Sequence, residues 1–180
     1  MNRTVWAMTK QLRKGSFKPE GYEVSFGSGK IDRIDTCETE DQVYVKILDY
    51  KTGAKSFDMA AFYHGLQMQL VVYMEEAVRL EERKHPGKKI VPAGIFYYRM
   101  KDPIVGKELD EEKLEEAILK ELRLDGIIRQ EDAVIQRLDA EFSGNSLVIP
   151  AGKTKSGYSK ASKMLLPEEF DAVLTYAQKR

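Results

Sequence analysis

The sequence predicts an α/β fold with a mixed central sheet flanked by helices. Residues 21–51 hold three short runs of alternating, largely β-branched apolar residues separated by polar turns. Residues 58–84 carry a long helical periodicity, and a fourth strand-like run, Ile90 to Met100, follows the breaker Pro86-Gly87. The order β-β-β-α-β implies a helix crossing between the third and fourth strands. A right-handed crossover makes those two strands parallel neighbours.

Taken in order, Val5, Met8 and Leu12 predict a short helix within residues 1–14. Gly15 and Pro19 mark a loop, and residues 21–26 read as the first strand. Gly27-Ser28-Gly29 turns the chain into a second strand carrying Ile31 and Ile34. Glu38 to Asp41 is too polar for a core and suits a hairpin turn. Val43, Val45 and Ile47 define the third strand. In the helix, Phe62, Leu66, Gln69, Tyr73, Ala77 and Leu80 share one stripe, with Leu70, Val71 and Met74 beside it. Its middle turns are apolar nearly all round, so it packs on the sheet beneath another element. Residues 109–138 predict one or two surface helices broken near Asp125-Gly126, and Leu147 to Pro150 a short strand. Pro167-Glu168-Glu169 starts a last helix. The length predicts one domain over residues 1–180, with a core at about 20–105 and a helical, lysine-rich extension at 106–180.

Composition narrows the partners. Lys+Arg and Asp+Glu both number 29, so any nucleic-acid surface must come from charge distribution. The single cysteine, Cys37, excludes an internal disulfide framework and a Cys-only metal cluster within this chain. No apolar run approaches a membrane span, and MNRTVWAMTKQ lacks a signal-peptide apolar region. The cytoplasm is the expected setting, with no membrane partner.

The chemistry concentrates at the end of the third strand. Side chains alternate along a strand, so Val43, Val45, Ile47, Asp49 and Lys51 share one face. A carboxylate beside an apolar core is costly unless a cation or hydrogen bonds compensate it. Asp32, on the neighbouring strand, can approach Asp49, and a hard divalent cation such as Mg²⁺ answers two crowded carboxylates. Lys51 can then stabilise charge developing on a phosphate. The blander reading is a set of surface ion pairs on a hairpin. Glu23 is a further acid, more simply read as an edge-strand side chain facing solvent. Gln69 and Tyr73, four residues apart, stand one above the other on the helix, and alone they read as core residues. Residues 153–163 carry Lys153, Lys155, Lys160 and Lys163 with Tyr158 and no acids. They can contact phosphates and stack on a base, or form a solvated loop.

Asp32 followed by Asp49-Tyr50-Lys51 resembles the PD-(D/E)XK nuclease superfamily, whose restriction-endonuclease-like core has this pattern on adjacent strands. The wording is similar to its RecB-type branch. G-x-x-D-R-x-D stands as Gly29, Asp32, Arg33 and Asp35, D-Y-K-T-G as Asp49 to Gly53, and Q-x-x-x-Y as Gln69 and Tyr73. Gly15, Phe17, Pro19 and Glu20, then Tyr63, Gly65 and Leu66, then Leu124 to Gly126 and the lysine-rich tail resemble the nuclease region of AddB (RexB) subunits. These belong to bacterial AddAB helicase–nucleases. The resemblance implies a metal-dependent DNA nuclease acting in double-strand-break end processing and recombinational repair. It implies Asp32, Asp49, Lys51, Gln69 and Tyr73 as catalytic residues, and Mg²⁺ or Mn²⁺ on Asp32, Asp49 and the Tyr50 main-chain carbonyl. It also implies a single-stranded DNA end as substrate and an AddA-like helicase–nuclease subunit as partner. DNA contacts are expected from Arg33, Lys153, Lys155, Tyr158, Lys160 and Lys163.

The rival is a non-catalytic scaffold of nuclease-like fold that binds DNA or a partner helicase subunit. The presence of Asp32, Asp49 and Lys51 together favours the enzyme. Two departures stand. RecB-type nucleases carry a metal-binding histidine before the first strand, and His64 and His85 follow the Asp49 strand instead. AddB-type subunits hold an iron–sulfur cluster on one cysteine before the core and three after it, and Cys37 matches none. The chain is therefore expected to be a piece of a longer subunit, lacking one metal ligand and the cluster cysteines, and of reduced activity alone.

Overall fold

The computed structural model describes residues 2–27, 29–106 and 110–178. Ser28 and Leu109, placed by the sequence in a turn and at a helix start, lie outside these. Helix α1 (Arg3–Arg13) begins where the Asn2 side chain accepts a hydrogen bond from the Thr4 amide. Three strands follow, β1 (Lys18–Phe26), β2 (Gly29–Glu38) and β3 (Gln42–Lys51). Helices α2 (Met59–Tyr63) and α3 (Met68–Lys84) lead into β4 (Lys89–Arg99). The chain continues through α4 (Glu111–Glu121), β5 (Asp125–Arg129), α5 (Asp132–Leu138), β6 (Lys153–Thr154), β7 (Gly157–Tyr158), β8 (Met164–Leu165) and α6 (Pro167–Gln178).

The sheet runs β1-β2-β3-β4-β5-β8, with β6 and β7 forming a separate ribbon. The β1/β2, β2/β3 and β4/β5 pairs are antiparallel; β3/β4 and β5/β8 are parallel. The mixed α/β architecture and the parallel β3/β4 pair are those the sequence predicts. Strand β3 is central and buried on both faces. Val43, Val45 and Ile47 pack with Leu70, Val71, Met74 and Ala77 of α3 and Phe170 of α6. Tyr44 and Leu48 pack into a second layer with Phe17, Val134, Ile135 and Leu138. Helix α3 is thus covered on its outer side by α6, as its all-round apolar middle requires.

Four expectations need correction. The helix over 58–84 is two helices. Gly65, at φ +77°, takes a left-handed conformation that ends the first, and Leu66 is left 77% exposed rather than on the core stripe. Residues 125–129 form a buried strand, where the sequence suggests only a break between helices. With β8 this strand completes the main sheet, so residues 106–180 are not an appendage to a core ending near 105. Leu147 to Pro150 form no strand. Ser146 Oγ instead accepts from the Val148 and Ile149 amides at 3.0 and 3.1 Å, while donating to Asp139 at 2.7 Å.

Strand β5 fits only because Gly126 has no side chain. A Cβ there would lie 1.9 Å from the Ile95 carbonyl oxygen and 2.8 Å from Phe96 Cα, both backbone atoms of β4. Gly126→Ala is therefore expected to push β5 off β4 and destabilise the chain by about 3 kcal/mol. Urea denaturation checks this, and a loss below about 1 kcal/mol would show that the strands separate easily.

Candidate active site

The site forms where β2 and β3 part. Their last paired residues are Arg33 and Leu48, and one further step of that register sets Asp32 opposite Asp49. There the Asp32 carboxylate, through Oδ2, accepts from the Tyr50 main-chain N–H at 2.8 Å. A residue in an extended strand presents its N–H and C=O to the same side. The Tyr50 carbonyl therefore faces the β2 side with Asp32. Asp49 follows Ile47 in phase on the α3 face of the sheet, as the period of two requires.

Asp49 is 8% exposed, and its Oδ2 is buried. Lys51 Nζ lies 2.5 Å from that oxygen and is its ion-pair partner. The same ammonium sits 5.2 Å from the centre of the Tyr97 ring. Burial draws the Lys51 pKa down, but pairing with Asp49 and the charges of Asp49 and Asp32 outweigh it and hold the lysine above its ordinary value. The Asp49 and Asp32 carboxylates thus favour the charged, donor form of Lys51.

Gln69 and Tyr73 sit on α3, on the same side of the sheet. Gln69 Nε2 donates to Tyr73 Oη at 2.5 Å, and the Tyr73 ring meets Phe26 edge-on at 5.5 Å. Gln69 is exposed while Tyr73 is buried, so the pair joins the core to the surface. Among the described residues no three His, Cys, Asp or Glu side chains group to hold a metal. The donors available are two carboxylates and one main-chain carbonyl. All are oxygens, the set a hard divalent cation takes.

The sequence pattern of the PD-(D/E)XK nuclease superfamily matches residues 1–148. The chain belongs to this superfamily. The B-type subunit of the ATP-dependent helicase/deoxyribonuclease of Alkaliphilus metalliredigens is 36% identical over 200 residues, covering 98% of this chain and 17% of the relative. The protein of that name from Lachnoclostridium phytofermentans is 37% identical over 194 residues, with 98% and 17% covered. That of Caldanaerobacter subterraneus is 34% identical over 204 residues, with 100% and 17% covered. The PD-(D/E)XK chain thus spans about 17% of the length of the curated relatives it matches.

Within this PD-(D/E)XK fold the residues expected to touch DNA separate. Arg33 is 2% exposed and forks onto Asp35, Nε to Oδ1 at 2.6 Å and Nη2 to Oδ2 at 2.8 Å. It also reaches Met8 and Tyr50, on the sheet face away from Asp49. It is a buried structural cation, and the expectation of a DNA contact is corrected. Lys163 is likewise built in, donating to Asp125 at 2.7 Å and to the Phe57 carbonyl at 2.8 Å. Tyr158 stacks on Phe142 and donates to Asp132, so its ring is already engaged on one side. Lys153, Lys155 and Lys160 are exposed on or beside the β6/β7 ribbon. Glu23 points to solvent, paired with Lys30 at 2.8 Å. Cys37 is buried in the second layer. Tyr97 and Asp125 escaped the sequence reading. The signal for Tyr97 was the parallel β3/β4 crossover, which lays it beside Asp49, while Asp125 lies on β5, a strand the sequence did not show.

Proposed function

We propose that the chain hydrolyses DNA phosphodiester bonds, with Mg²⁺ or Mn²⁺ held by Asp32, Asp49 and the Tyr50 main-chain carbonyl. The observation that carries this reading is the buried Asp49 carboxylate, set opposite Asp32 by the β2/β3 register and held against the Lys51 ammonium. Two carboxylates facing each other beside an apolar core are costly, and a hard divalent cation is the group that answers them. Such an ion, when bound, lowers the pKa of a water and neutralises charge on the scissile phosphate. Lys51 supplies positive charge and hydrogen-bond donors toward the phosphate. Asp32 fixes the end of β3 through the Tyr50 amide. Gln69 and Tyr73 position each other at the edge of the site.

The relatives' name places them in helicase–deoxyribonuclease assemblies. We extend that setting to this chain: a single-stranded DNA end as substrate, an AddA-like helicase subunit as partner, and double-strand-break repair as the process. An iron–sulfur cluster would belong to other parts of such a subunit. No described helix is long and apolar enough to cross a membrane.

The test is cleavage of a labelled single-stranded oligonucleotide in Mn²⁺, with and without EDTA. Lys51→Ala is expected to slow cutting about 10²-fold, the effect of losing one group aimed at transition-state charge. Wild type that neither cuts DNA nor shows a Mn²⁺-dependent thermal shift would replace the enzyme with the non-catalytic scaffold.

A further inference from the structure

We infer that a groove at the C-terminal end of β4 is a phosphate subsite for the DNA strand beside the cut, with Arg99 as its central cation. The inference rests on the nuclease reading above and extends it to a residue that no catalytic motif contains. Arg99 pairs with Lys51 in the parallel β3/β4 register, so the two side chains leave the same face on adjacent strands. Strands in a sheet lie about 4.8 Å apart, so Arg99 stands one strand over from the reactive lysine. Ligands of α/β sheets settle at the carboxyl ends of parallel strands, where both residues lie.

The groove holds about 230 Å³ and is lined by Arg99, Lys120, Arg123 and Lys163, with Glu121 and Asp125 as its acids. Lys163 is spent on Asp125, and Glu121 pairs with Lys101 at 3.2 Å, so Arg99, Lys120 and Arg123 are the cations left to the groove. Asp125 accepts from the Phe57 amide through Oδ2 at 2.8 Å and from Lys163 through Oδ1 at 2.7 Å. Arg99 Nη2 stays 3.7 Å from Asp125 Oδ2, beyond hydrogen-bond length. Arg99 Nε is buried and has no acceptor at all. The side chain as a whole is 31% exposed and lines the groove, where its Nη atoms are open to a ligand. Oxygens of a phosphodiester are the acceptors whose charge and geometry match a guanidinium fork. The same strand would pass over Lys51 at the end of β3.

Arg99 would hold the strand in register through its phosphate backbone, without reading bases. The test measures binding of a fluorescent single-stranded oligonucleotide at several salt concentrations, in metal-free buffer so that no cutting occurs. Arg99→Gln is expected to weaken binding about tenfold and to lower the slope of log K against log salt by about 0.7, the signature of one lost phosphate contact on a single strand. Arg99→Lys keeps the charge without the fork, so it should restore the slope and only part of the affinity. Wild type that does not bind, or Arg99→Gln with an unchanged slope, overturns the subsite. If Arg99→Gln fails to fold, Lys120→Gln on the exposed wall carries the same test. An unchanged slope there overturns the subsite as well. Binding that follows this pattern without cleavage in Mn²⁺ would remove the catalytic reading and leave the phosphate subsite standing.

Discussion

Asp49→Ala is expected to abolish metal-dependent DNA cleavage, lowering the rate about 10³-fold or more, while the fold survives. Asp49 is the buried carboxylate at the end of β3. Its Oδ2 is buried, opposite Asp32 and paired with Lys51. The change removes an oxygen donor and one of two facing negative charges. Lys51 loses its partner but is partly exposed, so water can take over. Stability should move by less than about 1 kcal/mol in either direction. Two readouts separate the roles. Cleavage falls, and the Mn²⁺-dependent rise in melting temperature disappears. Undiminished cleavage, with any other nuclease in the preparation silenced, would count decisively against the assignment.

The largest effect on stability is expected from Asp35→Ala. Asp35 is fully buried and compensates two buried cations, Arg33 through a two-pronged contact and Lys46 at 3.5 Å. Burial holds the Lys46 pKa down despite the attraction of Asp35, with the Arg33 charge adding to the depression. Without the carboxylate, two like charges would remain in the core, Lys46 with little but the Phe17 face 5.0 Å away. Breaking a buried ion group from one side costs about 3–5 kcal/mol. Urea denaturation should report a loss of that size. Replacing all three residues by apolar ones, as Arg33→Met, Asp35→Leu and Lys46→Met, should recover most of it, because no charge is then left unpaired. A loss under about 1 kcal/mol in the single variant would mean that water reaches the triad.

This triad marks where the sequence was and was not legible. Gly29, Asp32, Arg33 and Asp35 look like one motif, yet a strand sends alternate side chains to opposite faces. Asp32 goes to the end of β3, whereas Arg33 and Asp35 go into the second layer. The period of two was available to show that Arg33 could not share a surface with Asp32. The same period placed Asp49 and Lys51 on the face of Val43, Val45 and Ile47, where the structure has them. Helical spacing likewise placed Gln69 within reach of Tyr73. The 153–163 lysines were not separable in this way. Lys163 differs from Lys160 only because Asp125, 38 residues earlier, and the Phe57 carbonyl lie within reach of it.

By itself, then, the sequence determined the order of strands and helix through β4, the parallel neighbourhood of β3 and β4, and the residues gathered at the end of β3. Those follow from periodicity and chain direction, which are local and written in consecutive residues. Only the tertiary structure decided that Asp125 to Arg129 is a strand. Five residues between charged helices carry too little pattern, and the pairing with β4 and β8 supplies the hydrogen bonds that make them one. It also decided which cations are structural and which remain open. An arginine or lysine is the same residue in either role, and what separates them is whether the fold brings an acceptor to it. Arg33 has Asp35, while Arg99 Nε has none.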